Sequence, residues 1–173
     1  MATKYGKLPP LVEQIKPDGI NDFNDCWAAA LSSWMQVNRV WHYTSGQLVD
    51  KYQQYLDLHL VLKDELFAKV ADDINVKMAF EKIKNGSDLT SDYLAERLTI
   101  GHVYLGYEVT VMLGHVVVVY GVGHPTGKEE MISVMDPWYP IYRNIPLREF
   151  KSKRIVVGWK YAPFSELKGQ GYW

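Results

Sequence analysis

The chain has 173 residues, of which 47% are hydrophobic and 23% charged, and its formal net charge is -1. At this length roughly 70% of the unfolded surface is buried on folding, so one core can stand without staples, and the chain reads as a single domain over residues 1–173. The charge balance leaves no broad basic field for nucleic acid. The single cysteine excludes an internal disulfide and a multi-cysteine zinc site, and no apolar run reaches the roughly 20 residues of a membrane span.

Residues 1–22 are rich in Pro, Gly, Asp and Lys and read as an extended arm or loop. The opening MATKYGKLPPLVEQ has no apolar h-region, so no cleavable signal peptide is expected. Asn24 or Asp25 then offers a helix cap before CWAAALSSWMQVNR, in which Trp27, Ala30, Leu31 and Trp34 recur at helical spacing. This helix is expected to be central. A second helix is predicted over Thr44–His59, and shorter ones in KDELFAKVADDIN, in MAFEKIKNG and over Leu89–Leu98.

The character changes near residue 100. HVYLGYEVTV, HVVVVYGVG, MISVMD and RIVVGWKYAP are β-branched and aromatic, as strands are, and His124–Glu130 reads as a turn. Helices fill the first hundred residues and strands the rest. That segregation predicts an α+β fold in which an N-terminal helical half packs on a C-terminal antiparallel sheet.

Three residues carry chemistry by position. Cys26 opens the first helix, where the helix dipole favours a thiolate and free N–H groups face outward. His115 opens one strand and Asp136 closes the next. If the turn between them makes a hairpin, the start of one strand lies beside the end of the other, so the carboxylate would orient the imidazole. Gly114 would let a substrate backbone approach. His102, at the start of a neighbouring strand, is the rival base. His42, His59 and His124 read as structural or solvated, and no histidine spacing supports a metal site.

These motifs together, CWAA, then GHVVVVYGV, then VMDPW, resemble the papain-like cysteine peptidases. The pattern is most similar to the peptidase domains of bacteriocin exporters and to bacterial effector proteases. The resemblance implies a papain-like fold with Cys26 as nucleophile, His115 as base and acid, Asp136 as orienting residue, and no cofactor. It also implies an oxyanion-hole glutamine about six residues before the cysteine. Position 20 is Ile20, and Gln14 stands twelve before Cys26, so Gln14 is the favoured donor and Asn21 and Asn24 are its rivals. Trp27 and Trp138 are expected to wall the substrate groove, with Trp138 shielding the His–Asp pair. The implied activity is that of a cysteine endopeptidase acting on a protein. The family pattern suggests a delivered toxin or effector, sent by a dedicated system into a target cell, with a Gly-Gly preference and a cognate inhibitor. A glutamine deamidase or a cell-wall amidase would use the same fold.

Overall fold

The β-branched runs after residue 100 pair into one antiparallel sheet. The structure, a computed structural model, describes residues 3–14, 25–40, 42–56, 62–110, 113–124, 127 and 129–161. Strands β2 (Met78–Ile83), β3 (Val103–Thr110), β4 (Leu113–Gly123), β5 (Met131–Asp136), β6 (Ile141–Pro146) and β7 (Ile155–Lys160) lie in the order β2-β7-β3-β4-β5-β6. A short β1 (Lys4–Tyr5) adds beside the far end of β4 and makes the sheet seven-stranded. The helices are α1 (Cys26–Val37), α2 (Ser45–Tyr52), α3 (Phe67–Asp73) and α4 (Ser91–Leu98).

Side-chain alternation sorts the sheet residues into two cores. Val116, Val118, Tyr104, Met135 and Val156 pack with α1, α2 and α3. Val117, Val119, Leu105, Val134 and Val157 pack with α4 and the turn Leu147–Phe150 on the other face. A strand covered on both faces should read as a continuous apolar run, and VVVV at 116–119 does so.

Two sequence expectations are corrected. MAFEKI is strand β2, the sheet's edge beside β7, and not a helix. Its formers Ala, Glu and Lys favour a helix in isolation, but pairing with the strongly β-prone IVVGW outweighs that weak preference. The helix expected over Thr44–His59 ends at Tyr52 and tightens into a 3-10 turn at Gln53–Tyr55; residues 57–61 lie outside the described ones. At its start, Thr44 and Gln47 form a reciprocal capping box.

Helix α1 is buried on every side from Cys26 to Met35. Its C-terminal end is closed by a Schellman motif. Arg39 takes a left-handed φ of 55, Val40 N–H donates to the Met35 carbonyl and Arg39 N–H to that of Gln36. The same end is clamped to β3. Trp34 Nε1 donates to the His102 carbonyl at 2.6 Å, and the His102 N–H donates to Asn38 Oδ1 at 3.0 Å. Gly101 is required there, because a Cβ would lie 2.3 Å from Asn38 Oδ1. The helix that carries the cysteine is therefore fixed at its far end before its N-terminus meets the sheet.

The clamp gives a direct test. Trp34→Phe keeps most of the apolar volume but leaves the buried His102 carbonyl without its donor. We expect a loss of about 1–3 kcal/mol in urea unfolding. An unchanged midpoint would mean that the clamp carries no net stability.

Candidate active site

Cys26 is the first residue of α1 and is 4% exposed. Asp25 occupies the N-cap position, but its side chain does not cap the helix. Its ψ of 15 is the physical reason. Thr44 and Thr90, which do cap, have the extended ψ values of 159 and 163 that aim a side chain back at the first turn. The capping role expected for Asp25 is thus corrected: its buried carboxylate opposes ionisation of the Cys26 thiol. Asn24 lies outside the described residues.

The Cys26 thiol is pushed up to about 12, chiefly by burial. Backbone N–H groups of Val116 and Trp27 donate to the sulfur and pull the other way, while the charges of Asp25 and Asp136 add to the rise. The Val116 contact is informative, because Val116 directly follows His115. It sets the helix mouth against the start of β4.

His115 is 2% exposed and its Nε2 lies 2.7 Å from Asp136 Oδ1. The same oxygen accepts from the Trp138 backbone N–H at 3.0 Å, and Oδ2 lies 2.6 Å from Arg143 Nη2. Burial alone would push the Asp136 carboxyl up. The hydrogen bond and charge of His115, the Trp138 N–H and the Arg143 guanidinium outweigh it and hold the group below its ordinary value of 3.8. An ionised carboxylate only accepts, so Nε2 carries a proton, and whenever the imidazole is neutral its lone pair lies on Nδ1. That Nδ1 is buried and has no hydrogen-bond partner among the described residues. The arrangement therefore orients the imidazole through Nε2, leaves Nδ1 without a partner among the described residues, and leaves the thiol, raised by burial, protonated at neutral pH.

Aromatic rings enclose the imidazole. Tyr107 and Trp138 stand edge-on to it, with centroids at 5.7 Å and 5.4 Å. Beyond them a cleft of about 230 Å³ opens between Tyr107, His115, Trp138, Arg143, Phe150 and Lys153. Gly114 is exposed beside His115. A methyl group in place of its hydrogen would meet nothing nearer than the Tyr107 carbonyl oxygen at 3.7 Å, so the approach is open.

Gln14 is buried, and its backbone N–H donates to the Pro137 carbonyl at 3.2 Å. It therefore adjoins the turn that follows Asp136. The arm reaches it through a series of anchors: Gly6 N–H on the Tyr120 carbonyl, His102 Nε2 on the Lys7 carbonyl, the Tyr142 hydroxyl on the Pro9 carbonyl and the Ser33 hydroxyl on the Pro10 carbonyl. Asn21, the other rival donor, lies outside the described residues. His102 is thereby accounted for as a structural residue that ties the arm to β3. Trp27, expected to wall the groove, faces the core among the described residues. It is 2% exposed, packs edge-on to Tyr52 and accepts the Tyr104 hydroxyl on its carbonyl. Its place one residue into a helix buried all round directs it into the core.

Arg143 is the site residue that sequence reasoning misses. The prolines at 140 and 146 hide strand β6, although Ile141, Arg143 and Ile145 alternate as an edge strand should. Among the described residues no cluster of His, Cys, Asp and Glu is suited to hold a metal ion, and no helix is long and apolar enough to cross a membrane.

No protein-family model matches the sequence, and no curated protein matches it. Among solved structures, the crystal structure of UfSP from C. elegans matches over 94% of this chain with a TM-score of 0.64. The fold is papain-like. Sequence identity is 14%, and the match spans 34% of the UfSP chain, about a third of its length.

Two measurements follow. If the thiol is held protonated by burial, iodoacetamide should alkylate Cys26 slowly at neutral pH, with a rate that climbs about tenfold per pH unit up to pH 10. A plateau already reached below pH 8 would instead mean a preformed thiolate. The Asp136 carboxyl, lowered in the folded state, contributes stability that is full above its unfolded value and is lost as pH falls through the folded one. The stability gap between the wild type and Asp136→Asn should therefore close in thermal melts as pH drops below about 4.

Proposed function

We propose that the chain is a cysteine peptidase in which Cys26 is the nucleophile, His115 the proton shuttle and Asp136 the residue that orients it. The observation that supports this most directly is the 2.7 Å His115–Asp136 bond at the start of β4, where Val116 N–H meets the Cys26 sulfur. The papain-like fold shared with UfSP supports the same reaction class.

The chemistry runs through His115 Nδ1. As a substrate amide enters, the Cys26 thiol turns from the Val116 N–H toward Nδ1. The S–H proton passes to Nδ1 while the sulfur bonds to the carbonyl carbon, and the carbonyl π pair moves onto oxygen. The Cys26 N–H at the mouth of α1 meets that oxyanion, with the Gln14 side-chain amide as a second donor. On collapse the C–N bond breaks and the Nδ1 proton goes to the leaving amine. Water then attacks the thioester carbonyl, gives a proton to Nδ1, and the carbon–sulfur bond breaks to release the acid and restore the thiol. The burial that raises the thiol favours this general-base route, since the proton leaves only as the bond forms. Asp136 stays ionised throughout and stabilises the imidazolium.

The substrate class is a protein, and a Gly-Gly bond is the first site to try. Proteins incubated with wild type and with Cys26→Ala should differ by new peptide termini in mass spectrometry. Activity should fall by roughly 10⁴-fold or more in Cys26→Ala and about 10²–10⁴-fold in His115→Ala. A mass shift of about one dalton on glutamine, without new termini, would replace the peptidase reading with a deamidase acting through the same thioester. Full turnover by Cys26→Ala would end both.

A further inference from the structure

The His–Asp pair is accounted for by the reaction above, but the second oxygen of Asp136 is not. It is taken by a charged residue from the next strand. In the β5–β6 register Asp136 faces Ile141 and Val134 faces Arg143. Arg143 is therefore the diagonal neighbour of Asp136 on the same sheet face, within reach of a long side chain. Its Nη2 lies 2.6 Å from Oδ2, while Oδ1 serves His115 Nε2 and the Trp138 N–H. A carboxylate held at one oxygen can turn about its Cβ–Cγ bond. Held at both, its plane is fixed.

We propose that Arg143 is a positioning residue for the His115–Asp136 pair: by gripping Oδ2 it fixes the carboxylate plane so that Oδ1 meets Nε2–H and the lone pair of the imidazole stays on Nδ1. This rests on the reading of His115 as the base. The guanidinium also shares the negative charge of Asp136. The groups that face His115 are Cys26 beside Val116, Tyr107 from β3, Asp136 from β5, Arg143 from β6, and Glu149 and Lys153 around the cleft. Lys153 is occupied elsewhere, donating to the Glu108 carbonyl at 2.9 Å. Of the two cations, Arg143 is the one that grips the carboxylate. A purely structural role, tying β6 to β5, would account for the ion pair but not for its place on the oriented carboxylate.

The test needs no substrate for its first reading. Nitrogen-15 spectra of the histidine-labelled 173-residue chain report which ring nitrogen carries the proton. Once its imidazole is titrated to the neutral form, wild-type His115 should show a single tautomer with the proton on Nε2. Arg143→Met should show averaging of the two tautomers, and the carbon-13 titration of the Asp136 carboxyl should move upward. Arg143→Lys should keep the wild-type tautomer, because a lysine can make the single bond to Oδ2 and preserve the charge. In turnover, Arg143→Met should lose about 10- to 100-fold in kcat with KM little changed, as orienting partners of site residues do, and Arg143→Lys should recover part of it. A folded Arg143→Met with the wild-type tautomer overturns the proposal. So does a kcat loss that lysine fails to recover at all. Absence of turnover in the wild type would fail the peptidase reading and leave the tautomer result to decide the role of Arg143.

Discussion

A helix with ten consecutive buried residues has no free face, and most of the site follows from that. Helix α1 is packed between α2 and the sheet, clamped by Trp34 and Asn38 at one end, so its first residue can occupy only one place. That place is the opening beside β4 where Val116 N–H is available. Carrying the proposed nucleophile on a rigid buried element holds it in place more closely than a loop could. The same burial opposes its ionisation. Desolvation is the largest influence on the thiol, and the helix dipole that should favour a thiolate acts against two nearby carboxylates, Asp25 and Asp136. Precise placement and easy ionisation are in conflict here. In the proposed reaction a lone pair on His115 Nδ1 resolves it by removing the proton only when the sulfur is committed to a carbon.

The carboxylate of Asp136 meets the opposite fate under the same burial. It too is desolvated, yet it is held ionised, because three donors converge on its two oxygens. A buried charge is tolerable when it is paired and fully hydrogen-bonded. The contrast between Cys26 and Asp136 is thus one of donors and not of depth. Two backbone N–H groups reach the sulfur, whereas a guanidinium, an imidazole and an N–H reach the carboxylate. The pair of groups is left with the thiol neutral and the carboxylate charged, which is the starting state the proposed general-base attack requires.

Much of this is legible in the sequence because it is written in local pattern. The helix at Cys26 follows from CWAAALSSW, the strands from VVVV and IVVGW, and the His115–Asp136 contact from two strands joined by one turn. What local pattern hides depends on partners distant in sequence. MAFEKI becomes a strand because β7 pairs with it. Arg143 matters because β6 returns beside β5, which no local signal around YPIYRNIP announces. The place of Trp27 next to Cys26 suggests a groove wall, but adjacent residues on a helix point about 100° apart, so the neighbour of an N-terminal nucleophile can face the core. Residue type alone makes Asp25 a cap, and backbone ψ decides otherwise.

The N-terminal arm shows how a segment without regular structure can be fixed as firmly as a strand. From Gly6 to Gln14 its backbone is held by His102 just before β3 and by groups on β4, β6, α1 and the turn after β5. Three of its carbonyls accept from side chains that the rest of the fold has already positioned, namely His102, Tyr142 and Ser33. Prolines at 9 and 10 lack an N–H and offer only acceptors, so they suit a strap that lies across donors and is not itself part of the ladder. His102 links this strap to the clamp on α1: its ring holds Lys7 while its backbone holds Trp34 and Asn38. The anchoring of Gln14 beside Pro137 and the anchoring of the Cys26 helix therefore share one residue. Loosening His102 would disturb both sides of the site at once, which is a stronger reason for its burial than any role as a base.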